Sequence, residues 1–175
     1  EEYKKRVLLV VPPKDFQDSE YLGTESLLER NGVRTKVTSI QRGISPGVND
    51  TTVFVDRVLS RMDVEKYGGI AFIGGPGMAE IVENDTMQET AQRFHDQGGI
   101  VGAIGIAPKI LANAGLLEGK QAVANSDGKD ALKDAGATIQ SDDVVVDGRI
   151  ITAKGGNASH EFGWRIANQI NNPSQ

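Results

Sequence analysis

The chain has 175 residues, of which 38% are hydrophobic and 25% are charged, and its formal net charge is −5. These values predict one globular domain over residues 1–175, and the acidic balance argues against a nucleic-acid partner, which would need a basic surface. No apolar run approaches the roughly 20 residues that cross a membrane, and the absence of cysteine excludes disulfides and thiolate metal sites. We therefore expect a cytoplasmic protein with no membrane, metal or cofactor.

The first predicted elements are a strand, a helix and a second strand. The apolar run 7–11 is typical of a strand that is buried on both faces. A helix follows, with Asp18 and Ser19 as candidate caps and Asn31-Gly32 as its stop. The alternation of apolar and polar residues over 33–40 then predicts a half-buried strand.

The next segment begins with turn formers and returns to a buried strand. Residues 41–52 are rich in Gly, Pro, Asn and Asp and predict a surface loop, whereas 53–66 leaves both strand and short helix open. The apolar run 70–73 predicts the next buried strand. A helix is expected over 84–97, where Gly98-Gly99 stops it.

Strands and helices continue to alternate through the second half. The predicted elements are a buried strand at 100–104, a helix from Ala107-Pro108 to about Gly115, a short strand at 122–124, a helix at 127–135, a hairpin of strands 144–146 and 150–152 around Asp147-Gly148, and a helix at 158–170. In the last helix, Phe162, Ile166 and Ile170 recur on one face. The alternation predicts an α/β fold, a flavodoxin-like three-layer α/β/α sandwich with a mostly parallel central sheet.

Ligands of such folds bind at the carboxyl ends of the strands, where Glu20 follows the first strand. Glu20 shares a helix face with Leu27 and Leu28, which turns its carboxyl group inward. Burial would let this acid hold a proton near neutral pH. The alternative is a first-turn glutamate that complements the helix dipole.

The strand at 70–73 ends in Gly74-Gly75-Pro76-Gly77, for which three interpretations stay open. A phosphate cradle is one, although the dinucleotide pattern G-x-G-x-x-G fails because its sixth position is Glu80. A tight strand-to-helix turn is the second. The third is a set of exposed backbone amides that form an oxyanion hole.

The sharpest feature is the passage from the apolar strand 100–104 into a helix through the single residue Gly105. This layout is that of a nucleophile elbow, in which the turn residue is strained and exposed. A cysteine at this position would be acidified by the helix N-terminus and become a good nucleophile. Glycine, however, has no side chain to react.

Several stretches of the sequence together resemble the ThiJ/PfpI superfamily, the DJ-type members of the class I glutamine-amidotransferase-like fold. They lie at 7–11, 15–20 (Asp-Phe-Gln-Asp-Ser-Glu), 68–77 (Gly-Gly-Ile-Ala-Phe-Ile-Gly-Gly-Pro-Gly), 103–120 and 146–156. The resemblance covers almost the whole chain in order, and the elbow within 103–120 is its most specific part.

The resemblance implies a set of site residues. In the family a reactive cysteine occupies the elbow, which is Gly105 here, and a glutamate that contacts it corresponds to Glu20. Oxyanion and binding groups correspond to Gly74, Gly75 and Ile106, and a further pocket residue to Asn125. The resemblance also implies a homodimer or higher homo-oligomer, and glyoxalase, deglycase-like, peptidase or amidase activity that uses the thiol.

Two functional hypotheses follow from the glycine at position 105. The first is an enzyme scaffold for small carbonyl compounds or for amide and peptide bonds that is inactive or weakly active without its nucleophile. The alternative is a non-catalytic, ligand-binding or stress-related homo-oligomer. A laboratory substitution and a natural loss of the cysteine both fit the sequence.

The remaining residues of chemical interest predict no second site. His95 lies in a polar helical stretch and is expected to face solvent. Ser159-His160-Glu161 has the letters of a triad, but neighbours on a helix point in different directions. Trp164 is expected either to pack inside the domain or to lie at a subunit contact.

Overall fold

A computed structural model describes residues 2–173 and contains strands and helices in alternation through them. The strands are β1 Arg6–Val10, β2 Arg34–Thr38, β3 Gly43–Pro46, β4 Thr52–Val55, β5 Gly69–Phe72, β6 Ile100–Ile104, β7 Gln121–Ala122, β8 Thr138–Ile139, β9 Val144–Asp147 and β10 Ile150–Ala153. The α-helices are α1 Asp18–Arg30, α2 Pro76–Ala79, α3 Asp85–Asp96, α4 Pro108–Asn113, α5 Lys129–Asp134 and α6 Ser159–Asn171. Single 3₁₀ turns lie at Glu2–Lys5, Leu59–Arg61, Val64–Lys66 and Gly156–Ala158.

The central sheet has six strands in the order β2-β1-β5-β6-β10-β9. Every neighbouring pair runs parallel except β10 and β9, which form the hairpin predicted around Asp147-Gly148. The predicted flavodoxin-like α/β fold with a mostly parallel sheet is confirmed. Its carboxyl ends bring the residues that follow β1, β5, β6 and β10 to one edge.

The core lies on both faces of this sheet, because successive side chains of a strand point to opposite sides. On one face, Leu8 and Val10 belong to an apolar cluster that includes Phe94 of α3. On the other face, Val7 and Leu9 belong to a cluster with residues of α1 and α6. The inner-face prediction for α6 holds, since Phe162 and Ile166 are fully buried and Ile170 packs against the same cluster.

The predicted surface loop at 41–52 was wrong in part, because β3 and the first residue of β4 lie within it. These two strands pair antiparallel with Ile44 opposite Phe54. The turn formers therefore mark the hairpin connection rather than the whole segment. The ambiguous stretch 53–66 resolves into the rest of β4 and two 3₁₀ turns.

Three further predictions needed correction. Gln17, not Asp18 or Ser19, occupies the N-cap of α1 and makes no side-chain cap bond. Asp18 does not cap the helix, because its carboxylate accepts hydrogen bonds from the amides of Asn49 and Thr51. The strand expected at 122–124 is only Gln121–Ala122, and it pairs with the unpredicted β8 outside the central sheet. The helix expected at 127–135 is shortened to Lys129–Asp134.

In the part of the chain that the structure describes, no helix combines the length and the apolar character that a membrane span requires.

Candidate active site

Gly105 forms the sharp turn that the sequence predicted between β6 and the helix α4. Its φ is +73°, a left-handed conformation that side chains other than glycine's adopt only under strain. Hydrogen bonds fix the turn on two sides, since its amide donates to the carbonyl of Ala153 at 3.0 Å and its carbonyl accepts from the amide of Asn125 at 2.9 Å. The backbone at residue 105 is therefore held firmly at the carboxyl edge of the sheet.

Glu20 in the first turn of α1 reaches this elbow, as the helical pattern predicted. Its side chain is only 5% exposed, and Oε1 accepts a hydrogen bond of 2.8 Å from the amide of Gly74. A Cβ atom placed on Gly105 would lie 2.5 Å from Oε2 of Glu20. The fold thus brings residues 20, 74 and 105 into direct contact from three different strand ends.

The environment of Glu20 changes its acidity. Burial raises the pKa of its carboxyl group to about 7, and the hydrogen bond from Gly74 opposes the rise only in part. A carboxyl with this pKa exists in both protonation states near neutral pH. It can therefore donate or accept a proton at the elbow.

Gly75 follows Gly74 in the chain and is confined by close packing against the segment 15–17. Its φ is +117°, and a Cβ atom on it would lie 2.5 Å from the amide nitrogen of Gln17 and 2.6 Å from the carbonyl oxygen of Asp15. The turn leads into a helix of four residues. The geometry therefore supports the tight-turn interpretation of this segment. A phosphate cradle needs a helix whose N-terminus holds the anion, and four residues form only a single turn.

The amide groups of Gly75 and Ile106 have no hydrogen-bond acceptor among residues 2–173. The Cβ position of Gly74 lies 3.1 Å from the Ile106 nitrogen and 2.6 Å from Oε1 of Glu20, so the Ile106 amide and the Glu20 carboxyl border one small space. The Gly74 amide differs, because it is engaged by Glu20. Two of the three predicted oxyanion and binding residues thus present free donors.

Asn125 lies beside the elbow, and much of its bonding is local. Its backbone amide holds the carbonyl of Gly105, and its side-chain oxygen accepts from the amide of Gly128 at 3.1 Å. The residue is partly exposed. These contacts give Asn125 a clear part in positioning the turn at residue 105.

Sequence reasoning missed Gly155 and Gly156, which follow β10 and complete the rim of the site. A Cβ atom on Gly155 would meet Oε2 of Glu20 at 4.0 Å and no other atom within that distance. One on Gly156 would lie 2.2 Å from Oγ of Ser19. We call the space above Glu20 that Gly74, Gly105, Ile106 and Gly155 border the notch. Their position after a buried parallel strand was the signal that could have revealed these two glycines.

Asp18 also has a function that the sequence did not indicate, since it ties the hairpin connection to α1. Its two carboxylate oxygens accept hydrogen bonds of 2.9 Å from the amides of Asn49 and Thr51. Burial alone would raise the pKa of Asp18, but the hydrogen bonds from Thr51 and Asn49 outweigh it and hold the pKa below its usual value. The carboxylate is therefore ionised and bonded, and it supports the segment just before Glu20.

The histidines lie outside the notch. His95 is exposed, as expected, and His160 is exposed as well, while the neighbouring Ser159 is buried against α1. No group of three or more His, Asp or Glu side chains within residues 2–173 could hold a metal ion. A cavity of about 390 Å³ near Tyr67 and Arg149 lies at the opposite, amino ends of the strands. The notch is thus where the strand ends, the buried acid and the free amide of Ile106 coincide.

Comparison with known proteins agrees with this fold. Residues 5–169 match the model of the DJ-1/PfpI family. The chain is 33% identical to an uncharacterised protein of Methanocaldococcus jannaschii over 168 residues, 94% of this chain and 82% of that protein. It is 24% identical to a glutathione-independent glyoxalase of Caenorhabditis elegans over 172 residues, which cover 98% of this chain and 92% of the glyoxalase.

A solved structure is similar over nearly the whole chain. The crystal structure of a ThiJ/PfpI domain protein from Brachyspira murdochii superposes with a TM-score of 0.94 and 30% identity, covering 97% of this chain and 98% of that one. The fold and the elbow define an α/β protein of the flavodoxin-like class. The chain belongs to the DJ-1/PfpI family, and its relatives include that glyoxalase and a deglycase of Pyrococcus abyssi.

Proposed function

We propose that this chain is a DJ-1/PfpI protein that binds a small carbonyl or peptide-like ligand in the notch and performs no covalent catalysis there. The observation that carries the proposal is the residue at the elbow. Gly105 adopts a φ of +73° next to the carboxyl of Glu20, and glycine has no side chain that could act as a nucleophile. Similarity to a glyoxalase and to deglycases supports the ligand class. The notch keeps an acid and the free amide of Ile106 but has no nucleophile at the elbow.

Covalent catalysis needs an electron pair on the protein that can attack a carbonyl carbon. Residue 105 offers only hydrogen, and the polar side chain in contact with it is the carboxyl of Glu20. An oxyanion hole and a binding pocket without the nucleophile retain a small part of an enzyme's rate enhancement. Glu20 acting on a bound water is the route left for slow hydration or hydrolysis.

An assay of four proteins tests this proposal. Methylglyoxal consumption and peptide hydrolysis are measured for the chain itself, Gly105→Cys, Gly105→Ala and Gly105→Cys/Glu20→Gln. We expect turnover with Gly105→Cys, less with the double variant and only slow background with the other two. Gly105→Ala is the matched control, because it adds the same first carbon without a thiol.

The outcomes separate the hypotheses. Turnover that appears only with the thiol supports a scaffold that lacks its nucleophile. Equal turnover by the chain itself and by Gly105→Cys contradicts the assignment of the site. No turnover by any variant favours the purely ligand-binding alternative, including a stress-related role.

We further propose that the chain forms a homodimer through the β3–β4 hairpin. Ile44 and Phe54 lie opposite each other on the two strands and are 71% and 63% exposed. Val48 in the connection adds to this apolar surface.

The sequence left two possibilities open for Trp164, packing in the domain or a subunit contact. Trp164 is half-exposed on α6 and therefore does not pack in the core. In a dimer, the hairpin of a second copy would cover Ile44 and Phe54 with the same apolar surface.

A further inference from the structure

The amino edge of the central sheet, opposite the notch, carries a group of positive charges. Arg6 is the first residue of β1 and Arg34 the first residue of β2, and the two strands pair with these residues opposite each other. Residues in register on neighbouring strands point to the same face, and such strands lie about 5 Å apart. Lys36, two residues after Arg34, points to this face as well. Three cationic side chains therefore lie close together.

These cations line a small cleft beside Tyr67. The cleft has a volume of about 160 Å³ and is bordered by Arg6, Arg34, Thr35, Lys36 and Tyr67. We call it the arginine cleft. It is smaller than the pockets of roughly 300 to 1,000 Å³ that enclose whole ligands. Its size therefore suits one charged group of a ligand.

The positive charge of the arginine cleft is neutralised only in part. Nζ of Lys36 lies 2.8 Å from Oδ1 of Asp56, which follows β4. Among the side chains of residues 4–173, no carboxylate forms an ion pair with Arg6 or Arg34. Three cations and one carboxylate leave the cleft with two uncompensated positive charges.

The acidity of Tyr67 supports this description of the charges. Burial raises the pKa of the Tyr67 hydroxyl, whereas the positive charges of Lys36, Arg6 and Arg57 oppose the rise. These cations are therefore close enough to the hydroxyl to act on it. Arg57 adds a fourth cation beside the cleft.

Like charges that lie directly opposite each other on neighbouring strands are destabilising. Glu29 of α1 is engaged by β2 in another way, because it accepts hydrogen bonds of 2.9 and 2.8 Å from the amide and the hydroxyl of Thr35. It forms no ion pair with Arg34. An anion from solution can therefore supply the charge that Arg6 and Arg34 lack.

We propose that the arginine cleft binds the phosphate group of a small phosphorylated molecule, with phosphate oxygens accepting from the guanidinium groups of both Arg6 and Arg34. A phosphate monoester carries about −1.5 to −2 charges at pH 7, which matches the two uncompensated charges. Each guanidinium group offers a fork of donors that fits two oxygens of a phosphate. A carboxylate has one charge and two oxygens, so it satisfies one fork only. The site is separate from the notch, and the inference does not depend on the proposed function.

The test is a nuclear magnetic resonance titration of ¹⁵N-labelled protein at constant ionic strength. The probes are inorganic phosphate, glycerol 3-phosphate as an organic ester and acetate as a monoanion. We expect both phosphates to shift the amide signals of Arg34, Thr35 and Lys36, and acetate to bind about tenfold more weakly or worse. Equal binding of acetate and phosphate, or phosphate binding that leaves these amides unshifted, overturns the proposal.

A lipid headgroup presents the same phosphate chemistry, so a second experiment separates the two sources. The protein is sedimented with vesicles of phosphatidylcholine alone and of phosphatidylcholine and phosphatidic acid in equal parts. Response to the soluble phosphates without cosedimentation supports a small ligand. Cosedimentation with the phosphatidic acid vesicles and no response to the soluble phosphates overturns it.

Variants assign the binding to the two arginines. Arg6→Gln and Arg34→Gln each remove one charged fork, and each should weaken the binding of inorganic phosphate about tenfold or more. Arg93→Gln is the matched control, because Arg93 is an exposed arginine on α3 away from the cleft. Equal affinities for phosphate in all three variants and the wild type contradict the assignment.

Urea unfolding distinguishes a ligand site from a structural role. Without phosphate, Arg34→Gln should be at least as stable as the wild type, because it removes one of two like charges. Phosphate should then stabilise the wild type more than this variant, since a ligand of the folded state raises its stability. A variant that is less stable without phosphate and gains as much from it as the wild type overturns the proposal.

Discussion

The carboxyl of Glu20 occupies the space that a side chain on residue 105 would enter. A Cβ atom on Gly105 would lie 2.5 Å from Oε2 and 2.8 Å from Oε1 of Glu20, closer than non-bonded atoms approach. Any larger residue at 105 must therefore displace this carboxyl group. The identity of residue 105 and the position of the buried acid are physically coupled, and several predictions depend on this coupling.

Gly105→Ala should destabilise the protein by more than its backbone strain alone. A left-handed alanine costs on the order of 1–2 kcal/mol, and displacement of Glu20 adds to that. Gly119→Ala is the matched control, because Gly119 has a φ of +74° and a Cβ atom there meets no atom within 4 Å. Urea unfolding of both variants measures the difference. Equal losses of unfolding free energy would show that the Glu20 carboxyl does not resist a side chain at 105.

Glu20→Gln should change how stability depends on pH. The pKa of Glu20 is raised on folding from 4.5 to about 7, so the folded state binds this proton more tightly than the unfolded chain does. Its contribution is fully present below pH 4.5 and is lost as the pH rises through 7, by about 3 kcal/mol in total. Relative to wild type, the glutamine variant should therefore gain stability between pH 4.5 and pH 8.

Denaturant unfolding at a series of pH values checks this difference. Glu89→Gln, at an exposed glutamate of α3, is the control for the loss of a carboxylate as such. A constant gap between wild type and Glu20→Gln across this range would mean that burial does not raise the pKa of Glu20 as described.

Asp18→Asn should loosen the connection between β3 and β4. The variant replaces an ionised acceptor of two amide hydrogen bonds by a neutral one, and the expected cost is about 1–3 kcal/mol. Hydrogen exchange at Asn49 and Thr51 should accelerate, while Asp50→Asn in the same connection is the control at an exposed position. Unchanged protection of these two amides would contradict the role assigned to Asp18.

Much of this site could be predicted from the sequence, because strand ends of a parallel sheet meet at one edge. The inward direction of Glu20 follows from helical periodicity with Leu28, and the sharp turn at Gly105 follows from an apolar strand that leads directly into Pro108. The engagement of the Gly74 amide by Glu20 could not be predicted, since it depends on the separation of two strand ends. Asp18 was assigned to a cap because local sequence does not reveal a partner that lies 31 residues away.

The hairpin strands were missed for a related physical reason. Gly43 and Pro46 are poor strand formers, yet β3 and β4 form a two-stranded sheet of their own, in which pairing with one partner suffices. The exposure of Ile44 and Phe54 could likewise not be inferred from alternation alone. Alternation shows that two faces differ and does not show which of them is covered.

The double variant Ile44→Ser/Phe54→Ser should shift the chain from dimer to monomer. The two substitutions remove the exposed apolar pair while leaving the core clusters intact. Sedimentation velocity over a range of concentrations measures the change, with Val146→Ser at another exposed apolar residue as the control. Dissociation caused by Trp164→Ala and not by the hairpin variant would place the contact on α6 and contradict the proposed surface.

The most direct test of the central claim is a ¹³C titration of the Glu20 side-chain carboxyl in the wild-type chain and in Gly105→Ala. A protein in which this acid lies buried against residue 105 gives a midpoint near pH 7, and the added methyl group changes that midpoint. Ser126→Ala, at an exposed position, should leave it unchanged. A midpoint near 4.5 that does not respond to the side chain at 105 would contradict the account of this site.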